Sequence, residues 1–123
     1  MRLVYLSLTG QTRKFINKLG DYSSIDLAEL TTFEAKEPWL LFVPTYPMAL
    51  LSLVDDFLLE EEYLATCCGI VGSGNRNFAQ DFCFSAYQLA EEYGLAVLYC
   101  YEFQGDDQDV LAVKEIIEKY EKS

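Results

Sequence analysis

Histidine is absent from this sequence of 123 residues. Imidazole is the side chain that most often exchanges protons near neutral pH, and it completes the Ser-His and Cys-His pairs of nucleophilic catalysis. Zinc sites built on histidine are excluded for the same reason. Chemistry of these kinds is therefore ruled out, and any reaction that this chain supports has to use other groups.

Basic residues are scarce, since nine Lys and Arg stand against twenty Asp and Glu and the formal net charge is −11. Affinity for nucleic acids comes largely from Lys and Arg, and so does affinity for anionic membrane surfaces, so we expect neither kind of partner. Long apolar runs are also missing, because stretches such as Leu95 to Tyr101 fall far short of the ~20 residues that span a bilayer. The first residues show no signal-peptide pattern, which predicts a cytoplasmic protein.

The four cysteines form no C-x-x-C motif, and the vicinal pair Cys67-Cys68 has poor spacing for zinc ligands. Cys67, Cys68 and Cys100 fall within apolar runs that indicate buried strands. Free cysteine in such places behaves as a small hydrophobic residue. We therefore expect reduced thiols in the core rather than a redox pair.

Hydrophobic residues make up 51% of the chain, enough to build a core, and the length predicts a single domain over residues 1–123. Short apolar runs alternate with amphipathic segments. The runs predict strands over 3–8, 23–27, 39–43, 66–71 and 95–101, and helices are predicted after the first, third, fourth and fifth. Only 28–38 lacks a helical stripe. This alternation predicts an α/β domain whose parallel sheet is covered on both faces.

Ligands of such a sheet bind at the carboxyl ends of the strands, so the loop after the first strand is a candidate site. Ser7, Thr9 and Thr12 supply hydroxyl groups, and Gly10 lets the backbone approach a ligand closely. The loop leads directly into a helix, whose first N–H groups and dipole favour an anion. The pattern suits a phosphate, with Arg13, Lys14 and Lys18 close behind. A polar turn that caps the helix is the alternative.

The loop after the fourth strand is the second candidate, because Gly72-Ser73-Gly74 is followed by Asn75, Asn77 and Phe78. The glycines would let a flat ligand lie against the backbone, and the amides could read its polar edge. Tyr46, after the third strand, and Phe78 would be aromatic walls. A simple glycine turn with Asn in left-handed conformations is the alternative.

Two motifs carry a family resemblance. S-L-T-G-Q-T-R-K-F after the first strand resembles the flavodoxin phosphate loop. G-S-G-N-R-N-F after the fourth strand, with L-Y-C-Y-E-F-Q-G further on, is similar to the NrdI family, the flavodoxin-like accessory proteins of class Ib ribonucleotide reductase. The resemblance runs from Leu3 to about Ile117. It implies a flavodoxin-like three-layer α/β/α fold with a five-stranded parallel sheet of order 2-1-3-4-5.

The resemblance also implies FMN as the cofactor, bound by residues from four loops. The first loop would hold the 5′-phosphate, the third and fourth would hold the ribityl chain and the isoalloxazine ring, and the last would close the outer side. In that order the residues are Ser7, Thr9, Gly10, Gln11 and Thr12; Thr45 and Tyr46; Gly74, Asn75, Asn77 and Phe78; and Glu102, Phe103 and Gly105.

The family's role is to take electrons from an electron-donating reductase and to reduce O₂ to superoxide at the flavin. The superoxide is then delivered to the dimanganese site of the ribonucleotide reductase small subunit. The metal then belongs to the partner, so this chain needs no metal ligands of its own. Two other functions stay open. One is a general electron-shuttling flavodoxin. The other is a protein-binding module without FMN, because Pro47 to Leu50 stand where relatives often have glycines.

Overall fold

The computed structural model describes residues 1–29, 33, 36–45, 52–75 and 82–122. The strands are β1 (Arg2–Tyr5), β2 (Ser23–Asp26), β3 (Trp39–Val43), β4 (Cys67–Gly74) and β5 (Val97–Glu102). The helices are α1 (Gln11–Leu19), α2 (Ser52–Leu58), α3 (Glu61–Thr66), α4 (Phe84–Tyr93) and α5 (Asp107–Glu121), with a short 3₁₀ turn at Leu27–Glu29.

The five strands form one parallel sheet in the order β2-β1-β3-β4-β5, as predicted. Side chains alternate across it, so each strand feeds two hydrophobic layers. One layer packs under α1 and α5, and the other packs under α2, α3 and α4. The predicted three-layer arrangement is therefore confirmed. Among the described residues, no helix is both long enough and apolar enough to cross a membrane.

Several element ends lie where the local sequence predicts them. Gly20 and Gly94 end α1 and α4 with φ of 105° and 69°, values that favour glycine. Asp106 caps α5 in a capping box: its side chain accepts from the Asp109 N–H, and the Asp109 side chain accepts from the Asp106 N–H. These ends depend only on neighbouring residues.

The single helix predicted after the third strand is wrong, because the helical path breaks after Leu58 and two short helices, α2 and α3, follow β3. Glu60 has an extended backbone, with φ −76° and ψ 113°, and a second helix begins at Glu61. The break brings the ring of Tyr63 onto Phe57 at a centroid distance of 4.6 Å. The acidic run Glu60 to Glu62 therefore opens α3 instead of closing α2, and Glu61 and Glu62 lie where the helix dipole favours negative charge.

The fourth strand is longer than predicted, and it includes the glycines that were expected to break it. Gly72 pairs with Val43 on one side and Cys100 on the other. A Cβ atom added to Gly72 would lie 2.6 Å from the Cβ of Ala86. Glycine is therefore needed at this position for the close packing of α4, and not for the approach of a ligand. The helix predicted after the fourth strand is α4, which begins at Phe84.

The cysteine prediction is confirmed in part. Cys67, Cys68 and Cys100 lie in strands as predicted, but each is only partly buried. Cys83 is the fully buried one, and it lies at the start of α4 instead of in a strand. No disulfide joins these residues.

Gly94 and Gly105 both have a left-handed backbone, but only Gly105 also lacks space for a side chain. Gly105 has φ +75°, and an added Cβ would lie 2.4 Å from Cδ1 of Phe15. Gly94 has φ +69° but meets nothing within 4 Å. We expect Gly94→Ala to cost about 1 kcal/mol of unfolding free energy, the cost of the left-handed backbone. Gly105→Ala should cost at least about 2 kcal/mol, because the clash adds to it. Urea unfolding of both variants measures this, and equal losses would contradict the contact with Phe15.

Candidate functional site

Eleven of the predicted site residues lie within the described residues, at the edge where β1, β3, β4 and β5 end. The other three, Tyr46, Asn77 and Phe78, lie outside the described residues. Because the strands are parallel, their carboxyl ends meet at one edge of the sheet. The topology therefore brings four loops together: Ser7, Thr9, Gly10, Gln11 and Thr12 after β1; Thr45 after β3; Gly74 and Asn75 at the end of β4; and Glu102, Phe103 and Gly105 at the end of β5.

The loop after β1 delivers the backbone directly into α1. Gly10 is the residue before the helix, and it adopts a left-handed conformation with φ 88°. It offers no side chain to the first N–H groups, and the first turn of α1 carries no carboxylate. Ser7 Oγ accepts a hydrogen bond from the Arg13 N–H at 3.3 Å, while Thr12 is buried at 2% exposure. The polar-turn alternative thus accounts for Ser7, and the N-terminus of α1 stays suited to an anion.

The basic residues near this loop are arranged differently from the prediction. The Arg13 guanidinium pairs with the buried carboxylate of Asp26 and lies 3.7 Å from Glu29. The hydrogen bond to Asp26 raises the pKa of Arg13 above its ordinary value. Lys18 Nζ donates to the carbonyl oxygens of Gln104 and Gly105 at 3.3 and 2.9 Å. Two of the three predicted cations therefore serve protein groups.

Thr45 and Gly74 join the ends of β3 and β4. The Thr45 hydroxyl donates to the Ser73 carbonyl at 2.6 Å. A Cβ atom on Gly74 would lie 3.2 Å from Thr45 Oγ1 and 2.9 Å from the backbone N of Cys83. Glycine is thus required at 74 by the close approach of two other segments. The sequence did not predict that the Ser73 carbonyl would bind Thr45 or that the Cys83 backbone would approach Gly74. Backbone contacts of this kind do not depend on the residue type, so the sequence carries no signal for them.

The loop after β5 forms an open cleft of about 460 Å³. Phe103 donates its N–H to the Gly74 carbonyl at 3.2 Å, in a left-handed conformation with φ 52° that is uncommon outside glycine. Gly105 closes the turn by donating to the Glu102 carbonyl at 2.8 Å. The cleft also contains Gln104 and the carboxylates of Asp106 and Asp109. The hydrogen bond from the Asp109 N–H lowers the pKa of Asp106 and keeps that carboxylate charged.

Asp26 is the residue at this edge that sequence reasoning missed most clearly. Asp26 also accepts from the Ala28 N–H at 3.0 Å, so it organises the end of β2 beside the start of α1. Its partner Arg13 is thirteen positions away, and no local pattern links the two. The parallel pairing of β1 with β2 brings them together.

The Asp26 network predicts a stability effect. Asp26→Ala removes the acceptor for both Arg13 and the Ala28 N–H, and we expect a loss of about 2 kcal/mol of unfolding free energy. Asp21→Ala, on an exposed residue of the preceding turn, is the matched control and should change stability by less than about 0.5 kcal/mol. Urea unfolding measures both. If Arg13→Met has the same effect in the wild-type and Asp26→Ala backgrounds, the pairing is wrong.

Comparison with known proteins identifies the family. Residues 3–115 match the model of the family described as NrdI Flavodoxin like. Protein NrdI of Bartonella tribocorum is 37% identical, over 96% of this chain and 93% of its own length. A putative NrdI-like protein of Streptococcus pneumoniae is 32% identical, over 94% of this chain and 90% of its own length. A solved archaeal flavodoxin shares the fold with a TM-score of 0.61 at 17% identity, covering 99% of this chain and 98% of its own. The chain belongs to the NrdI flavodoxin-like family.

Proposed function

We propose that this protein binds FMN, uses it to reduce O₂ to superoxide, and so assembles the dimanganese-tyrosyl radical cofactor of the class Ib ribonucleotide reductase small subunit. An electron-donating reductase would supply the electrons. The single observation that carries the FMN part is the N-terminus of α1, which begins at a left-handed glycine that has no side chain to cap the helix and has no carboxylate in its first turn. The family supports the flavodoxin-like character of the site.

The first loop fits the 5′-phosphate of FMN. A phosphate needs N–H and O–H donors and an absence of negative charge, and helix N-termini meet both needs. The backbone of Gly10, Gln11 and Thr12 would supply the N–H donors, and the exposed hydroxyl of Thr9 would add an O–H donor. Ser7 would act mainly by holding the third residue of α1, since its oxygen already accepts from Arg13. A side chain at Gly10 would point into open space, so glycine is needed there for its backbone conformation.

The remaining loops fit a flat ring system. Thr45 would lie beside the ribityl chain, with Gly74 and Asn75 against one edge of the ring and Phe103 and Gly105 on the outer side. Gly74 keeps that edge free of a side chain, and the N–H of Phe103 is already bound to Gly74, which holds the two loops at a constant separation. Glu102, Tyr46, Asn77 and Phe78 complete the set that we assign to FMN.

The charge of the protein opposes electron gain by a bound flavin. FMN, when bound, supplies the electron-transfer chemistry that no side chain of this chain can provide. Glu102, Asp106 and Asp109 surround the outer cleft, and they disfavour additional negative charge there. Arg13 offsets little of this, because its charge is already balanced by Asp26 and Glu29. We therefore expect a low flavin reduction potential, which suits the reduction of O₂.

FMN binding is tested by reconstitution. The purified protein is mixed with FMN and desalted, and we expect the visible flavin absorption to stay with the protein. Gln11→Glu introduces a carboxylate of nearly the same shape into the first turn of α1. It should weaken FMN binding at least about tenfold, or ~1.4 kcal/mol, through repulsion of the phosphate. The same change should leave the apoprotein as stable or slightly more stable, because the helix dipole favours acid there.

Asn17→Asp is the matched control, since it adds the same charge to an exposed position near the other end of α1. FMN affinity should be nearly unchanged in this variant. An absence of flavin absorption in the wild-type protein would favour the protein-binding module without FMN. Equal affinities for Gln11→Glu and Asn17→Asp would mean that the phosphate binds elsewhere.

Exposed apolar side chains around the same edge support a protein partner. Leu8 follows β1, Leu53 lies in the first turn of α2, Phe84 begins α4, and Phe103 follows β5. Each is between 44% and 48% exposed. Large apolar residues that gather around a polar cleft are typical of protein interaction sites. We assign this rim, Leu8, Leu53, Phe84 and Phe103, to contact with the reductase small subunit.

The rim is tested by Phe84→Gln, which removes an apolar contact without touching the residues assigned to FMN. We expect binding to the class Ib small subunit to weaken at least about tenfold, measured by calorimetry with the FMN-loaded protein. Leu59→Gln is the control, because Leu59 is 68% exposed but follows the far end of α2. Equal weakening in both variants would contradict the rim, and a lack of binding by the wild-type protein would favour the general electron shuttle.

A further inference from the structure

Cys83 at the start of α4 and Cys100 in β5 belong to the same hydrophobic layer, and both are neighbours of Gly72. Both belong to the layer under α4, with Cys83 fully buried and Cys100 at its margin. Gly72 is the direct neighbour of Cys100 across β4 and β5, where parallel strands are about 4.8 Å apart. The position of a Cβ on Gly72 would be 3.4 Å from Cys83 Sγ and 3.5 Å from Cys83 Cβ. The glycine therefore contributes no side chain between the two thiols.

Tyr87 connects this pair to the surface. It lies one turn after Cys83 on α4, is 57% exposed, and donates its N–H to the Cys83 carbonyl at 3.2 Å. Charge on Cys100 is the main cause that raises the pKa of the Tyr87 hydroxyl, followed by partial burial, a hydrogen bond to Cys100 and charge on Cys83. Tyr87 thus links the surface of α4 to Cys83, and Cys100 is the partly exposed thiol of the pair, accessible to a small oxidant.

We propose that Cys83 and Cys100 are a peroxide-sensitive thiol pair that hydrogen peroxide converts to an intramolecular disulfide. The pair flanks the candidate site, because the backbone N of Cys83 lies against Gly74. The modification would join the N-terminus of α4 to β5. It concerns the two thiols alone and does not depend on bound FMN, although superoxide from the proposed function would disproportionate to hydrogen peroxide close by.

The reaction balances without a further reagent. The Cys100 thiolate, which is the more accessible of the two, attacks one peroxide oxygen. An S–O bond forms and the O–O bond breaks, which releases one water after protonation and leaves a sulfenic acid. Cys83 then attacks that sulfur, so the S–S bond forms, the S–O bond breaks and a second water leaves. Two thiols are oxidised to one disulfide, and one hydrogen peroxide is reduced to two waters.

The vicinal pair Cys67 and Cys68 is a poor competitor. The two residues are consecutive in β4, and their side chains belong to opposite hydrophobic layers. Consecutive Cα atoms are about 3.8 Å apart, which is shorter than the usual separation across a disulfide. Burial raises the pKa of the Cys67 thiol to about 12, so almost none of it is the reactive thiolate at neutral pH.

The test uses the whole protein, reduced and then freed of reductant. It is treated with excess hydrogen peroxide, quenched with catalase, denatured and alkylated, and the product is analysed by intact mass and peptide mapping. We expect two of the four thiols to be lost: the mass should fall by two hydrogen atoms before alkylation, and only two alkyl groups should then be added. The map should contain one linked pair of peptides, carrying Cys83 and Cys100.

Three variants make the assignment specific. Cys83→Ser and Cys100→Ser should each abolish the link, whereas the double variant Cys67→Ser with Cys68→Ser should retain it. If a variant fails to fold, the peptide map of the wild-type protein decides alone. A link between Cys67 and Cys68, a link between two molecules, oxidation of Cys100 to a sulfinic acid without loss of the Cys83 thiol, or four intact thiols would each overturn the proposal.

Discussion

The architecture depends on the burial of β3 on both faces. All five of its side chains are buried, and they alternate between the two layers: Trp39, Leu41 and Val43 face α2 and α4, while Leu40 and Phe42 face α1 and α5. A strand buried on both sides cannot shift by one residue without exchanging its two sets of side chains. The register of β1 and β4 on either side follows from this strand. The positions of the first, third and fourth loops at the ligand edge follow in turn.

Trp39 anchors the other end of the same strand. Its indole N–H donates to the Tyr63 carbonyl at 2.8 Å and to Thr66 Oγ1 at 3.1 Å, which satisfies a polar group that would otherwise be buried alone. Phe33 and Phe57 pack edge-on against the indole. These contacts hold α3 over the start of β3. Tyr63 and Thr66, the two acceptors, both lie after the break at Glu60.

The net charge of the whole protein and the charged side chains near the candidate site have different consequences. The net charge of −11 argues against nucleic acids and anionic membranes as partners, because these bind to basic residues of a protein. Among the described residues, two of the three cations predicted near the first loop bind other protein groups: Arg13 pairs with Asp26 and Glu29, and Lys18 donates to two loop carbonyls. The anion site that we propose at the first loop therefore relies on the backbone at the start of α1 more than on Arg13 and Lys18.

The sequence alone determined the alternation of strands and helices apart from the division into α2 and α3, the parallel sheet, the helix ends at Gly20, Gly94 and Asp106, and the strand-end loops in which we place the candidate site. These features depend on residues close together in the chain and on hydrophobic periodicity. Only the tertiary structure decided that glycine at 72 makes room for α4, that Arg13 pairs with Asp26, and that Cys83 packs against Gly72. Each of these contacts joins segments that are distant in sequence, so its existence depends on packing distances that no local pattern encodes.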